Sequence, residues 1–317
     1  MSRATHPPDG YPAADARVWK LGILGYPLGY SLSPVMHQAA FDALAARGVR
    51  GAYVEYPVPP ENLEPWLTEQ VSALGLDGFN VTMPHKEQIF AWVKQRGRLP
   101  NPEDEWVGAV NTVKIDGGVW QGYNTDGPGF LDVFSRPGVH ERLGRAFALE
   151  SSRVVLLGAG GAARAVACAL VWHKRIGELV LWNRHRARAE HLAASVAQVC
   201  RQGAGRACAV RVVDQVTARD VADAALLVNT VPVADELLVE PDTLGPGLVV
   251  YDLVYHPPWT ALLKAAKRRG AVVISGLEML VSQAALAFRL WVGDRGEAVR
   301  PLMAEALRQR VGDEWPS

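Results

Sequence analysis

The chain has 317 residues, which is long enough for two domains that each bury a core of their own. Its 33 Lys and Arg residues balance its 33 Asp and Glu residues, so its overall charge gives no general attraction for nucleic acid or for an anionic membrane surface. No apolar run approaches the roughly 20 residues that span a bilayer, which argues against a membrane protein.

Residues 1–17 are polar, contain proline and lack the apolar segment of a secretory signal, so we interpret them as a flexible tail. The three cysteines, Cys168, Cys200 and Cys208, are odd in number and lack CxxC spacing. This usage supports neither a disulfide framework nor a zinc site. We therefore expect a protein of the reducing cytoplasm without a resident metal ion.

Strand-like and helix-like stretches alternate in the first part of the chain, which predicts an α/β fold. We expect strands at residues 19–24, 52–56 and 79–81. Ser33 and Pro34 match a helix N-cap followed by proline at the first helical position, and they predict a helix through about Leu44. Apolar residues at helical spacing predict a second helix at residues 63–74.

The sequence Asp-Gly-Gly at residues 116–118 is typical of a hairpin turn between strands at residues 107–115 and 119–123. From residue 153 the pattern becomes more uniform. Further strands are expected at residues 154–157, 179–182, 210–213, 226–229, 248–253 and 271–274. This rhythm predicts a doubly wound parallel sheet, and a last long helix at residues 277–291 is placed to return to the first domain.

A glycine-rich run, residues 158–163, stands between the first strand of this second part and an Ala-rich helix. Glycines at a strand-to-helix turn let backbone N–H groups approach a pyrophosphate at the positive end of the helix. An ordinary tight turn is the alternative interpretation. The flanking strand and helix favour dinucleotide binding.

The end of the next strand indicates which dinucleotide is bound. An NAD site usually presents an acid there to the ribose 2′-hydroxyl, whereas this chain has Asn183, Arg184, Arg186 and Arg188. Guanidinium groups pair with a 2′-phosphate, so the segment predicts NADP. A solvated basic helix start is the alternative, but arginines at a helix N-terminus oppose the helix dipole.

Polar clusters in the first part fall at strand ends or helix starts, where a crevice between two lobes would gather them. They are residues 31–33, 80–82, 86, 111–112 and 124–126. Hydroxyls, amides and one ammonium suit a polyhydroxylated, negatively charged small molecule. Each cluster also has a purely structural interpretation: Ser33 as a helix cap, Asn111 at a strand end, Asp126 in a turn.

Hydride transfer to a ketone leaves an alkoxide, so such a site needs a proton donor and a group that holds the donor in place. Lys86 with Asp126 meets this need. A single lysine is usually a solvated surface group, and only the wider pattern distinguishes Lys86.

Six segments resemble, in the same order, the motifs of the shikimate dehydrogenase family. They are residues 25–37, 78–87, 108–113, 123–127, 250–257 and 276–285. The resemblance implies an N-terminal α/β substrate domain (residues 18–127), a Rossmann-like NADP domain (128–276) and C-terminal helices that return to the substrate domain (277–317). It also implies reversible NADPH-dependent reduction of 3-dehydroshikimate to shikimate, in aromatic amino acid and chorismate biosynthesis.

The resemblance assigns roles residue by residue. It implies that Lys86 is the general acid/base, paired with Asp126, and that Ser31 and Ser33 hold the substrate carboxylate. Further substrate contacts would be Thr82, Asn111, Tyr255 and Gln283. The cofactor residues would be Gly158, Ala159, Gly160, Gly161, Ala162, Asn183, Arg184, Arg188, Thr230 and Gly276.

The chain departs from the family pattern at Tyr30, His185 and His256, and in the loop at residues 229–232, which lacks a Thr-Ser pair. Two alternatives remain open at this point. One is a quinate or quinate/shikimate dehydrogenase working in the oxidative direction, and the other is a non-catalytic sensor that keeps the dinucleotide pocket. We interpret His37, His85 and His185 as packing or surface residues. The sequence is compatible with a monomer or a homodimer.

Overall fold

The computed structural model of the protein describes residues 17–29, 31–144, 147–202, 208–296 and 298–316. Of the expected tail only Arg17 falls within this part, and Tyr30 lies outside it. Within the described ranges, no helix is both long enough and apolar enough to cross a bilayer.

The first sheet is mixed. Its strands are β1 (Val18–Gly25), β2 (Arg50–Pro57), β3 (Gly78–Val81), β4 (Thr112–Asp116) and β5 (Val119–Tyr123). They lie in the order β2-β1-β3-β4-β5, in which β1, β2 and β3 are parallel and β4 pairs antiparallel with β3 and β5. Gly117 and Gly118 have φ of 57° and 80°, as a two-residue hairpin turn requires. The expected hairpin is confirmed.

The second sheet is entirely parallel. Its strands are β6 (Arg153–Leu157), β7 (Glu178–Trp182), β8 (Ala209–Val213), β9 (Ala224–Asn229), β10 (Val249–Asp252) and β11 (Val272–Ser275). The order β11-β10-β9-β6-β7-β8 reverses direction at β6, so a crevice opens at the carboxyl ends of the neighbouring strands. The predicted doubly wound sheet is confirmed, and its central strands are apolar because helices cover both faces.

The helices in the described part follow in chain order. They are α1 (Ser33–Leu44), α2 (Leu63–Pro65), α3 (Val71–Leu74), α4 (Lys86–Arg96), α5 (Pro102–Val107), α6 (Asp126–Asp132), α7 (Pro137–Leu143), α8 (Gly161–Lys174), α9 (Arg186–Gln202), α10 (Ala218–Ala222), α11 (Ala261–Arg268), α12 (Gly276–Val292) and α13 (Val299–Val311). A π-helical segment, Trp66–Gln70, joins α2 to α3. The helix expected at residues 63–74 is therefore continuous but not α-helical throughout.

Two expectations about the first lobe are wrong in detail. Ser33 is the first residue of α1, while Leu32 holds the cap position with helical φ and ψ. The strand expected from residue 107 begins at Thr112, because a proline followed by three acids starts α5 and Gly108, with φ of 62°, ends it.

The last two helices pack on the first lobe. Trp291 of α12 is buried and donates from Nε1 to the carbonyl of Val113 at 2.8 Å. Val299, Met303 and Leu307 of α13 are buried in one apolar cluster with residues of α1. The chain thus returns to its starting sheet after completing the second one, whereas the domain boundaries at residues 127/128 and 276/277 stay predictions.

Candidate active site

The carboxyl ends of neighbouring strands in the second sheet lie in register. Leu157 of β6 pairs with Trp182 of β7 and with Asn229 of β9. Asp252 of β10 pairs with Asn229 and with Ser275 of β11. The loops that follow these strands hold Gly158, Asn183, Thr230 and Tyr255, and Gly276 opens the helix directly after β11. One edge of the sheet therefore gathers the candidate cofactor residues and Tyr255.

Gly158 makes the turn out of β6 in a conformation that other residues rarely adopt. Its φ is 113°, and a Cβ atom at this position would overlap the hydroxyl of Thr230. That hydroxyl donates to the carbonyl of Leu157 at 2.7 Å. The backbone path and the Thr230 contact thus both require glycine here.

The next glycine of the run presents its backbone to an open space. Gly160 is extended, and a Cβ atom placed on it would meet nothing within 4 Å. Gly161 begins α8, and Ala159 and Ala162 beside it are half-buried. The first N–H groups of a helix have no partner within the helix, so this surface fits the pyrophosphate of a dinucleotide.

Two arginines near the end of β7 are available for a phosphate. In the described part of the chain, the guanidinium groups of Arg184 and Arg188 are exposed and have no hydrogen-bond or ion-pair partner. Arg186 between them is held by Asp214 at 2.5 Å. Asn183 donates from Nδ2 to a backbone carbonyl two residues later and so shapes the turn. These groups fit a 2′-phosphate on the bound dinucleotide.

Gly276, where α12 begins, lies against the backbone of the β10 loop. A Cβ atom at this position would overlap the carbonyl oxygen of Leu253 and lie 2.9 Å from that of Val254. The N-cap Ser275 accepts the amide hydrogen of Leu277. The start of α12 is therefore fixed at the sheet edge by the loop after β10 and by the Ser275 cap.

Lys86 and Asp126 form an ion pair in the first lobe. Nζ of Lys86 lies 2.6 Å from Oδ2 of Asp126, and the two side chains are 20% and 8% exposed. The residues are 40 positions apart in the chain, and each is the first residue of a helix. The structure thus brings together the ammonium and the carboxylate that the sequence singles out.

Asn111 holds the other oxygen of this carboxylate. Its Nδ2 donates to Oδ1 of Asp126 at 2.8 Å and to Oγ1 of Thr125 at 3.0 Å. The amide of Thr125 donates back to Oδ1 of Asn111 at 2.8 Å. Oγ1 of Thr125 lies 3.5 Å from Oε1 of Gln283, so α12 also reaches this cluster.

The predicted substrate residues Ser31 and Ser33 flank the start of α1. The backbone amide of Ser33 donates to Oγ of Ser31 at 3.4 Å. Ser33 is buried beside Tyr53. Burial raises the pKa of Tyr53 well above its usual value, and the hydrogen bond with the Ser33 side chain opposes this rise.

Thr82 and Tyr255 approach the same region from other elements. The Thr82 amide donates to the carbonyl of Leu24 at 2.9 Å, directly after β3. Tyr255 packs with Leu32 and Leu280 against the apolar cluster under α1, and burial raises its pKa. Leu32 and Leu280 lie close in sequence to Ser31, Ser33 and Gln283, so these residues and Tyr255 border the same apolar cluster.

The two lobes meet beside Lys86. A Cβ atom on Gly161 would lie 3.9 Å from Cδ of Lys86 and 3.6 Å from Cβ of Ala109. Arg164 in the first turn of α8 forms an ion pair with Glu87, the neighbour of Lys86. This pair cannot be predicted from the sequence, because opposite charges 77 residues apart carry no signal without the fold.

Five helices begin at candidate site residues: Ser33, Lys86, Asp126, Gly161 and Gly276. The N-terminus of a helix carries a partial positive charge, which stabilises a carboxylate or phosphate nearby. An anionic substrate and an anionic cofactor are therefore both favoured here.

The histidines lie outside this cluster of contacts. His37 and His85 are buried, and Nε2 of His85 lies 2.7 Å from the carbonyl of Val58, whereas His185 is exposed. Their predicted roles in packing and at the surface are confirmed. In the ranges that the structure describes, no three His, Cys, Asp or Glu residues are grouped to hold a metal ion.

Two family models match the chain. Residues 23–113 match the shikimate dehydrogenase substrate binding domain, and residues 276–308 match the shikimate 5'-dehydrogenase C-terminal domain. The shikimate dehydrogenase (NADP(+)) of Methanopyrus kandleri is 39% identical over 304 residues, which cover 93% of this chain and 98% of that protein. The shikimate dehydrogenase (NADP(+)) of Moorella thermoacetica is 42% identical over 92% of this chain and 93% of its own length.

Solved structures resemble the whole chain. A shikimate dehydrogenase in complex with NADP+ has a TM-score of 0.76 and 33% identity, covering 94% of this chain and 97% of its own. Shikimate 5-dehydrogenase from Thermus thermophilus, in complex with NADP(H) and shikimate, has a TM-score of 0.74 and 35% identity over 92% and 99%. Quinate dehydrogenase from Corynebacterium glutamicum, in complex with NAD, has a TM-score of 0.73 and 30% identity over 91% and 99%.

Proposed function

The chain belongs to the shikimate dehydrogenase family, and from this premise we propose that it catalyses the reversible NADPH-dependent reduction of 3-dehydroshikimate to shikimate. The observation that carries the proposal is the Lys86–Asp126 ion pair beside the start of the dinucleotide helix α8. A dehydrogenase needs this combination of a proton donor and a bound nicotinamide, and a passive binding protein does not.

Lys86 is the proton donor in this proposal. Bound NADPH supplies the hydride that reduces the substrate carbonyl. The Lys86 ammonium donates a proton to the oxygen that becomes the alcohol, and in the reverse direction the amine accepts it. Asp126 keeps the ammonium in place at 2.6 Å and stabilises its charge.

Side chains around the pair would orient the substrate. The hydroxyls of Ser31 and Ser33, at the positive start of α1, suit the carboxylate of the substrate. Asn111 and Thr82 suit its ring hydroxyls, and Tyr255 and Gln283 would close the pocket from the second sheet and α12. Gly276 would lie beside the nicotinamide ring.

The preference for NADP would rest on Arg184 and Arg188. Quinate oxidation is the second candidate, favoured by the similarity to a quinate dehydrogenase in complex with NAD. NAD-preferring relatives tend to carry an acid after the second strand, and this chain has Asn183 and Arg184 there. Comparing kcat/KM for shikimate and quinate with both cofactors decides between the two. A clear preference for quinate with NAD would overturn the proposed assignment.

Replacing Lys86 tests the catalytic assignment. We expect Lys86→Ala to lower kcat by about 10² or more and to leave the Kd for NADPH nearly unchanged, because it removes proton transfer and not dinucleotide contacts. Rates come from NADP+ reduction followed at 340 nm with shikimate, and Kd from quenching of tryptophan fluorescence. Lys94→Ala on the same helix is the matched control, since Lys94 is 57% exposed and pairs with Glu105. Wild-type turnover in Lys86→Ala would remove Lys86 from the mechanism.

Replacing Arg184 tests the cofactor assignment. Arg184→Ala should weaken NADPH binding by about 1.5–3 kcal/mol and spare NADH, because a charge-assisted bond to the 2′-phosphate is lost. Arg186→Ala, which removes an arginine already paired with Asp214, is the matched control and should change neither affinity by more than about 0.5 kcal/mol. Equal losses for both cofactors in Arg184→Ala would relocate the phosphate site.

We further propose that the protein works in the cytoplasm, as a monomer or a homodimer. The few, unpatterned cysteines support the reducing compartment. Sedimentation of the purified chain would decide between the two assembly states.

A further inference from the structure

A chain of buried side-chain hydrogen bonds leads from Tyr53 to the carboxylate of Asp126. The Tyr53 hydroxyl donates to Oδ1 of Asn80 at 2.7 Å, and Nδ2 of Asn80 donates to Oγ1 of Thr112 at 3.0 Å. The Thr112 hydroxyl donates to Oδ1 of Asn111 at 3.0 Å, and Nδ2 of Asn111 donates to Asp126 at 2.8 Å. All these bonds donate in the same direction, toward the carboxylate.

We propose that Tyr53, Asn80 and Thr112 are positioning residues, which hold Asp126, and through it the ammonium of Lys86, in the orientation for proton transfer. This inference rests on the proposed function. None of the three side chains hydrogen-bonds to Lys86 or Asp126 in the part of the chain that the structure describes, so they act through Asn111.

The chain of bonds fixes which way the Asn111 amide faces. Its Oδ1 accepts from the Thr112 hydroxyl and from the Thr125 amide, and the Thr125 hydroxyl also lies 3.2 Å from it, which leaves Nδ2 to face the carboxylate. A flipped amide would place its oxygen against the negative charge of Asp126 and would lose these donors. Without the Thr112 hydroxyl, only Thr125 restrains the amide oxygen.

Burial makes these bonds strong. Asn80, Thr112 and Asn111 are 5%, 0% and 2% exposed, so water does not compete for their donors and acceptors. In such surroundings successive hydrogen bonds polarise one another, and aligned donors increase the stabilisation of the charge at the end of the chain. What these bonds give Lys86 is geometry, because the restrained amide of Asn111 holds one oxygen of the Asp126 carboxylate while the other faces the ammonium.

Thr112 is the best place to test the chain. Thr112→Val keeps the β-branched shape that suits the first residue of β4 and replaces only the hydroxyl, by a methyl group. Asn80 keeps its second bond, from Nδ2 to the Asn111 carbonyl at 3.2 Å. Thr112→Ser is the matched variant, because it retains the hydroxyl and loses the methyl group. The other charged pair beside Lys86, Arg164 with Glu87, is unchanged in both.

Kinetics give the first measurement. We expect Thr112→Val to lower kcat about tenfold, to move the alkaline limb of the pH profile for ketone reduction to lower pH, and to leave the Kd for NADPH unchanged. Thr112→Ser should stay within about twofold of the wild type. Wild-type kcat and an unmoved profile in Thr112→Val would overturn the inference. So would a variant that loses only stability, or a Thr112→Ser enzyme as impaired as Thr112→Val.

A second measurement needs no substrate. Acetic anhydride acetylates amines but not ammonium groups, and peptide mass spectrometry gives the rate at each lysine. We expect Thr112→Val to raise the rate at Lys86 about threefold at pH 8, because a less restrained carboxylate stabilises the ammonium less. The rate at exposed Lys94 should not change. If the wild type fails to oxidise shikimate, the proposed function fails but this test still stands, and an unchanged rate at Lys86 overturns the positioning role.

Discussion

His37 is a fully buried histidine whose ring stacks on Tyr53, with centroids 4.2 Å apart. Burial disfavours the charged ring and lowers its pKa to about 3, an effect that Asn80 only partly offsets. A sequence cannot reveal this, because His37 stands in an ordinary amphipathic pattern. The neutral ring of His37 stacks on the Tyr53 ring and so helps to fix the position of the Tyr53 hydroxyl.

The pKa of His37 has a consequence for stability. Because the folded-state pKa lies below the unfolded value near 6.5, the unfolded chain binds the proton more tightly. The stabilising contribution of neutral His37 is complete above about pH 6.5 and is lost as pH falls toward about 3, by up to about 5 kcal/mol. Burial raises the pKa of Asp104 to about 7 and that of Asp252 to about 6. Because these values lie above those of the unfolded chain, the two carboxyl groups favour the folded state more as pH falls, which is opposite to the effect of His37.

His37→Phe keeps the stacking and removes the titration. We expect the free energy of unfolding of the wild type, minus that of the variant, to decrease as pH falls from 6.5 to 4, because Asp104 and Asp252 cancel in the difference. Urea unfolding at a series of pH values measures it. A difference that does not depend on pH would show that His37 titrates normally in the folded protein.

At the scale of single residues, the sequence identifies the candidate catalytic residues, but it does not identify the side chains that hold them in position. The motifs single out Lys86 and Asp126, and the structure joins them across 40 residues. The partners that hold them are unremarkable in sequence: Tyr53 reads as a strand residue, and Arg164 as part of a helix. Their roles depend on long-range contacts, which no local pattern encodes.

At the scale of elements, strands and long helices follow from periodicity, whereas helix starts do not. The apolar residues from position 107 resemble a strand, so their pattern does not predict α5. The proline and acidic residues before them nevertheless start this helix. The same kind of boundary positions the candidate site, since Lys86 and Asp126 each open a helix. A shift of one residue at these starts would turn the side chains away from one another.

The loop between β6 and α8 contains two glycines, Gly158 and Gly160, that are required for different reasons. Gly158→Ala should lower the free energy of unfolding by about 2 kcal/mol or more, because φ is 113° and the added methyl meets the Thr230 hydroxyl. Gly160→Ala should leave stability within about 0.5 kcal/mol and weaken NADPH at least tenfold, because its methyl projects into open space where the pyrophosphate would lie. Thermal unfolding without cofactor and NADPH titration separate the two effects. Equal stability losses would contradict the assignment.

At the scale of the whole molecule, the chain leaves its first sheet, forms the second sheet and then returns to the first. Helix α12 carries the connection, since it starts at the edge of the second sheet and ends with Trp291 bound to Val113 of the first. The doubly wound order was predictable from the repeated strand and helix pattern. The docking of α13 on α1 was not, because an amphipathic helix does not reveal its partner.

Two leucines on α13 test whether this return is part of the core. Leu307 is fully buried against the first lobe, whereas Leu302 is 38% exposed. Leu307→Ala should lower the free energy of unfolding by about 2–5 kcal/mol through the cavity it creates, and Leu302→Ala by less than about 1 kcal/mol. Chemical denaturation of both variants provides the comparison. Similar values would mean that α13 is only loosely attached.

The starts of α4, α6 and α8 lie together beside Lys86, and this has a practical consequence. Positive helix ends that lie close together attract any small oxyanion, whatever its origin. Sulfate and inorganic phosphate in a buffer would therefore occupy the places meant for the carboxylate and phosphates of the true ligands. Affinities measured in such media would come out too weak, and crystals grown from them would trap the salt.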